Sequence, residues 1–291
     1  MKLLVFGYGY SAQAIAERLR GAGAEIAATV RTQAKADLLA RSGIHARLLS
    51  EGYRDPAIAD EIAASDAILV SIPPDQGGDR VLAAFGEAIA AAPRLRWIGY
   101  LSTVGVYGDH AGGWVVETTP VAPREGRSRI RAEAELAWLG FGAARSKAVH
   151  LFRLAGIYGP GRNQLAQLAA GTARRIVKPG QVFNRIHVAD IAAIIEASLK
   201  RPRAGAVYNL SDDEPASPQD VVGFAAQLCG LAPPPEIPFE QADLTPVGRS
   251  FYGENKRVRN ALIKDELGIA LRYPTYREGL TALRASGEGP V

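Results

Sequence analysis

The sequence predicts an α/β fold built on a doubly wound parallel sheet, followed by a smaller mixed lobe. Three observations predict it. Short apolar runs alternate with Ala-rich helical stretches through the first half of the 291 residues. Those runs are almost continuously apolar, the pattern of strands covered on both faces. Beyond about Gly159 the alternation gives way to shorter segments broken by glycine and proline.

The elements follow in order. Residues 3–6, 25–30, 46–49, 67–71, 96–101 and 148–154 read as strands, and Ser71 closes the fourth. Residues 12–20, 79–91 and 127–139 have helical spacing. After the Gly159-Pro160-Gly161 break, helices are expected over 163–172 and 190–199 and a strand over 206–210. Ser217-Pro218-Gln219-Asp220 starts a further helix with a cap, a first-turn proline and an acidic residue, and Pro233-Pro234-Pro235 is expected to stop it. Thr275 and Glu278 form a capping-box pair, and Asn260 reads as the cap of a helix over 261–267. The expected division is a first domain over 1–158, with 182–210 returning to it, and a smaller substrate lobe over 159–181 and 211–291.

Composition excludes several classes. The net charge is +4, but acidic and basic residues are interspersed, so no basic face points to nucleic acid. The single cysteine, Cys229, can form neither an internal disulfide nor a cysteine metal cluster, and it reads as a small buried apolar side chain. The four histidines are scattered, so no metal site is expected. The apolar start ends at Gly7, too short for a signal sequence or a membrane span, and a cytoplasmic protein with no membrane partner is the expectation.

The strongest chemical signal is Gly7-Tyr8-Gly9-Tyr10-Ser11-Ala12, which follows the first strand and opens the first helix. Gly7 permits the tight turn, Gly9 lets the backbone approach a pyrophosphate, and Ala12 lets helix and sheet pack closely. The helix start then offers N–H groups and a positive dipole end to phosphates. This is the arrangement of a Rossmann dinucleotide-binding domain. The second strand ends at Val30 and is followed by Arg31-Thr32. Arg31 cannot accept bonds from a ribose 2′-OH, whereas its guanidinium suits a 2′-phosphate. NADP(H) is the preferred cofactor, with NAD(H) possible.

Longer motifs add to this. Leu101-Ser102-Thr103-Val104-Gly105-Val106-Tyr107-Gly108-Asp109 follows the fifth strand, and Arg153-Leu154-Ala155-Gly156-Ile157-Tyr158-Gly159-Pro160-Gly161 follows later. Arg185-Ile186-His187-Val188-Ala189-Asp190 and Tyr208-Asn209-Leu210-Ser211-Asp212 complete the set. Over nearly its whole length the chain resembles the extended short-chain dehydrogenase/reductases, the group of nucleotide-sugar epimerases and dehydratases, and its atypical branch in particular. The resemblance implies a catalytic hydroxyl at Thr103, four residues before Tyr107. It also implies a Tyr-x-x-x-Lys pair, whose positions here hold Glu125 and Arg129, with Glu133 downstream. A carboxyl with an ordinary pKa of about 4.3 is a poor proton donor at neutral pH, so Glu125 and Arg129 read as a helical ion pair. Tyr107 and Tyr158 are the remaining candidates for proton transfer.

His187 and the pair Arg257 and Arg259 read as structural. The expected function is an NAD(P)-binding oxidoreductase or epimerase-like protein acting on a sugar-nucleotide or small carbonyl or hydroxyl substrate. A non-catalytic NADP(H)-binding redox sensor is the alternative. Relatives imply a monomer or a homodimer.

Overall fold

The computed structural model describes residues 1–124 and 126–290. The strands are β1 (Lys2–Phe6), β2 (Glu25–Val30), β3 (His45–Ser50), β4 (Tyr53–Arg54), β5 (Ala67–Val70), β6 (Trp97–Thr103) and β7 (Trp114–Val115). They continue with β8 (Val149–Leu154), β9 (Gly156–Tyr158), β10 (Arg175–Val177), β11 (Arg185–His187), β12 (Ala206–Leu210), β13 (Glu236–Pro238) and β14 (Arg257–Val258). The helices are α1 (Tyr10–Gly21), α2 (Gln33–Arg41), α3 (Ile58–Ala64), α4 (Arg80–Ala91), α5 (Arg127–Arg145) and α6 (Gln164–Ala169). After them come α7 (Val188–Leu199), α8 (Pro218–Leu228), α9 (Pro246–Phe251), α10 (Ala261–Asp265) and α11 (Tyr276–Ala285).

The chain forms two compact units: residues 1–103, 125–153 and 191–208, and residues 104–124, 154–190 and 209–291. The second unit therefore takes 104–124, 154–158, 182–190 and 209–210, which the sequence reading assigned to the first. Those segments carry Tyr107, Tyr158 and His187.

The first unit is organised by an eight-stranded sheet in the order β12-β8-β6-β5-β1-β2-β3-β4. β1 pairs in parallel with β2 and β5, and β2 with β3, while β4 turns back antiparallel on β3. Leu3, Leu4, Val5 and Phe6 are all fully buried, so β1 is covered on both faces, as its unbroken apolar run predicted. On one face Leu4, Phe6, Ile68, Val70, Ile98 and Tyr100 pack with Ile62, Val81, Ile89 and Trp138 of the covering helices. That apolar cluster forms the core of the sheet's covered face, each buried Å2 of apolar area contributing roughly 25 cal/mol.

The second unit has short parallel pairs, β9 with β11, β10 with β13 and β7 with β14. A core of Tyr158, Leu165, Val221, Ala225, Tyr276 and Leu280 lies among α6, α8 and α11. The Ser217 cap of α8 and the Thr275–Glu278 capping box of α11 form as expected. Four local readings are corrected. α6 is shorter than expected, because Gly171 at φ +65° ends the turn. Gly230 at φ +68°, not the proline triplet, follows the end of α8. Asn260 occupies the cap position of α10, but its amide bonds Ser211 O and Asp213 instead. Cys229 is half-buried, because it stands at the capping position of α8 rather than on that helix's buried face.

Candidate functional site

The glycine turn is built as its spacing demands. Gly7 has φ +88°, and a Cβ there would stand 2.7 Å from Cγ1 of Ile72, which leaves no room for a side chain. Its N–H donates to the Thr29 hydroxyl at 2.9 Å, and Tyr8 N donates to Thr29 O, which ties the turn to β2. A Cβ on Gly9 would meet nothing within 4 Å, so the turn is open on the side where a pyrophosphate would approach. Gly9 stands at the start of α1 without a side-chain cap, and the first turn holds no acidic residue. A positive dipole end therefore stays uncompensated by protein charge. Ala12 is fully buried, Ser11 and Tyr8 are nearly so, and Tyr10 is half-buried. Ser71 follows β5, and its N–H bonds Phe6 O at 2.9 Å beside the turn.

At the end of β2, Arg31 is exposed and has no hydrogen-bond or ion-pair partner among the described residues. Thr32 caps α2, accepting from Lys35 N. Lys35 itself is a residue the sequence reading missed. Its Nζ donates to the carbonyl of Tyr8 at 2.6 Å, which brings a second cation to the glycine turn. The signal was present as Arg31-Thr32-x-x-Lys35, a helix start that returns its third residue toward the cap.

Thr103 ends β6 and is half-buried. Its neighbour Ser102 is buried and donates to Oε1 of Glu135 at 2.5 Å. The same carboxylate receives Arg153, with Nη2 at 2.8 Å from Oε2 and Nε at 3.2 Å from both oxygens. All three residues are at most 5% exposed. Arg131 donates to Leu101 O at 2.8 Å and lies over the Tyr100 ring. Burial pushes the Tyr100 phenol up to about 12.

α5 thus turns Arg131 and Glu135 toward β6, whereas Arg129 and Glu133 form an exposed pair at 3.8 Å. The expected partner of Arg129, Glu125, lies outside the described residues. The side chains of α5 that face the sheet are therefore Arg131 and Glu135, not Arg129 and Glu133.

In the second unit Tyr107 is fully buried, and its hydroxyl donates to Oδ1 of Asn209 at 2.7 Å. Gly108 follows at φ +72°, and a Cβ there would strike the Ala122 carbonyl at 2.0 Å. Tyr158 is 5% exposed and packs edge-on against His187, and a Cβ on Gly279 would meet its hydroxyl at 2.0 Å. Burial, then the fields of Asp212 and Asp190, push its phenol far above the ordinary range. His187 is buried, accepts from Ala189 N at Nδ1 and leaves Nε2 without a partner. Burial, reinforced by Arg272, lowers its pKa to about 4. Asp212 is 1% exposed, Oδ2 has no partner, and burial raises it to about 8 against the opposing pull of Arg185.

Arg257 bonds the Gly112 carbonyl, and Arg259 stacks on the half-exposed Trp114 ring at 4.5 Å. Among the described residues no cluster of His, Cys, Asp or Glu could hold a metal ion. Among them, too, no helix is long and apolar enough to cross a membrane.

No family model matches the sequence. Protein YeeZ of Escherichia coli K12 is 30% identical over 283 residues, covering 94% of this chain and 96% of that protein. The chain belongs to the YeeZ family. A functionally unknown conserved protein from Silicibacter pomeroyi is 50% identical, with a TM-score of 0.88 over 99% of each chain. dTDP-glucose 4,6-dehydratase from Bacillus anthracis, solved in complex with NAD, matches at a TM-score of 0.76 and 16% identity, covering 99% of this chain and 97% of that one. The fold is that of the epimerase/dehydratase and short-chain dehydrogenase/reductase proteins, and this YeeZ-family chain carries it over nearly its whole length.

Proposed function

We propose that the chain binds NADP(H) at the β1–α1 turn and the β2–α2 junction. It would act as a cytoplasmic oxidoreductase or epimerase-like enzyme on a sugar-nucleotide or small carbonyl or hydroxyl substrate. The carrying observation is the pair of glycines: Gly7 admits no side chain, and Gly9 faces open space at the uncapped start of α1. These residues fit a pyrophosphate, which needs backbone approach and N–H donors rather than a side-chain cage. Preference for the phosphorylated cofactor rests on Arg31 and Lys35, two cations on one helix start with no acid in its first turn. NAD(H) would be accepted more weakly.

A bound nicotinamide exchanges hydride, so the protein must manage the accompanying proton. Tyr158 is held as a neutral phenol first by burial and then by the neighbouring acids Asp212 and Asp190, and Tyr107 spends its proton on Asn209. Thr103, half-buried at a strand end, has the stronger claim to touch a substrate oxygen. It cannot ionise at neutral pH, so its role would be to donate or accept a hydrogen bond. Glu125 and Arg129 at the positions of the usual Tyr and Lys favour a second reading, in which the chain binds the cofactor and signals redox state without turnover.

Titration with NADPH and with NADH, followed by nicotinamide fluorescence, tests the proposal. Losing Arg31 should weaken NADPH by about 10- to 100-fold, the value of one charge-assisted contact, and Arg31→Asp should leave NADH little changed. Failure of both cofactors to bind the parent protein would refute the proposal. Binding with neither net cofactor oxidation or reduction nor substrate conversion across sugar nucleotides and carbonyl compounds would select the sensor.

A further inference from the structure

From Ile26 to Val30 every residue of β2 is apolar except Thr29. Thr29 is 1% exposed, and a hydroxyl shut away from water is costly unless it is hydrogen-bonded. Its partner is the turn that leaves β1. The hydroxyl accepts from Gly7 N at 2.9 Å, and the Thr29 carbonyl accepts from Tyr8 N at 3.2 Å. The parallel register, with Val5 opposite Ala28, is what carries Thr29 to that exit. One residue of β2 thus occupies two consecutive amides of the glycine turn.

The third amide is left over. Gly9 N–H has no partner among the described residues. The Tyr8 carbonyl faces Lys35 Nζ at 2.6 Å, and in a trans peptide the following N–H points the opposite way. The Gly9 amide therefore faces away from Lys35, and a Cβ on Gly9 would meet nothing within 4 Å. Without the Thr29 hydroxyl, the half-buried Gly7 amide would need another acceptor, and the turn would have to rotate to reach one. That rotation would carry the Gly9 amide with it.

We propose that Thr29 is the positioning residue of the cofactor turn. By taking up the Gly7 and Tyr8 amides it leaves the Gly9 amide aimed at the pyrophosphate of a bound dinucleotide. The inference rests on the dinucleotide reading of the Gly7–Ala12 turn and adds to it a residue that touches no ligand. Thr29 acts through the turn, so it serves phosphorylated and unphosphorylated cofactors alike, whereas Arg31 serves the 2′-phosphate.

Titration of the full chain with NADPH and with NADH tests this. Thr29→Val keeps the shape and removes the acceptor, and it should weaken both cofactors by the same factor, about tenfold. Thr29→Ser keeps the hydroxyl and should bind both as the parent does. If Thr29→Val fails to fold, Thr29→Ala set against Thr29→Ser isolates the same hydroxyl, and the tenfold gap should lie between those two. Amide hydrogen exchange separates positioning from a general loosening of the fold. At saturating NADPH the Gly9 amide should be protected in the parent and in Thr29→Ser, and less so in the variant without the hydroxyl. Equal affinities with and without the hydroxyl overturn the proposal, as does equal protection of Gly9. A loss confined to NADPH overturns it too, because it would place Thr29 with Arg31. A parent that binds neither cofactor removes the dinucleotide reading and this inference with it. A parent that binds, with a Thr29→Val variant that binds equally well, removes this inference alone.

Discussion

Glu135 offers a direct measure of how the carboxyl end of β6 is held. Glu135→Gln keeps the shape of the side chain and an acceptor for Ser102, but it leaves the Arg153 guanidinium buried at 5% exposure without its counter-charge. Removing one partner of a buried pair costs about 3–5 kcal/mol, a large share of the roughly 5–15 kcal/mol that holds a domain folded. The exposed Arg129–Glu133 pair, at 3.8 Å and more than 60% exposed on both sides, is the internal control. Arg129→Ala should cost about 1 kcal/mol or less. Urea unfolding followed by tryptophan emission reads the first unit, because Trp97 and Trp138 are buried there. With a slope of about 3 kcal/mol per molar urea, Glu135→Gln should lower the midpoint by about 1 M or more. Replacing both charges, as Glu135→Leu with Arg153→Met, should recover much of the loss, since a packed apolar pair needs no desolvation. A single-variant shift no larger than that of Arg129→Ala would refute the reasoning, as would a double variant worse than either single one.

Three further outcomes follow from the same contacts. Gly7→Ala should abolish dinucleotide binding and cost about 2–4 kcal/mol in urea unfolding, from the φ +88° backbone and the 2.7 Å approach to Ile72. Lys35→Ala should weaken NADPH about tenfold and NADH only slightly, read by the same fluorescence titration. Asp212, raised to about 8, gives stability that is complete below pH 4 and lost as pH rises toward 8, whereas His187, lowered to about 4, gives stability that is lost as pH falls below 6.5. Between pH 6.5 and 8 the parent's melting temperature should therefore fall with pH, and Asp212→Asn should flatten that fall; an unchanged slope would count against it.

Local chemistry was legible in the sequence wherever one short segment decides it. The Gly7–Ala12 turn, the Ser217 cap and the Thr275–Glu278 box each need only a few consecutive residues, and each stands where its spacing placed it. The buried Ser102–Glu135–Arg153 cluster was not legible, because its members lie 18 and 33 residues apart and only the stacking of α5, β6 and β8 joins them. Which face of α5 turns inward was hidden for a related reason. A run of Arg127, Arg129, Arg131, Glu133 and Glu135 offers charge at every second position, and periodicity alone cannot tell which pair turns inward. The division into units was also hidden, since segment 104–124 leaves directly from a strand of the first sheet and carries no boundary composition.

The surroundings of the tyrosines bear on chemistry as well as on packing. A phenol able to trade protons near neutral pH needs a cation to favour its ionised form and enough solvation to keep its pKa within reach. Both candidate tyrosines sit in the opposite environment: Tyr107 is sealed against Asn209, and Tyr158 is buried near Asp212 and Asp190. The guanidinium that could have favoured ionisation, Arg131, is instead committed to Leu101 O and the Tyr100 ring. Even there burial wins, since the Tyr100 phenol is still pushed up to about 12. What the first unit does offer the proposed cofactor is open backbone at Gly9 and cations at Arg31 and Lys35. In the proposed reaction, then, neither tyrosine would carry the proton, which would come from the substrate or solvent with Thr103 hydrogen-bonded to the substrate oxygen. That requirement predicts a pH–rate profile without the inflection of an enzyme tyrosine, and a deflection that a Tyr107→Phe or Tyr158→Phe variant removed would contradict it.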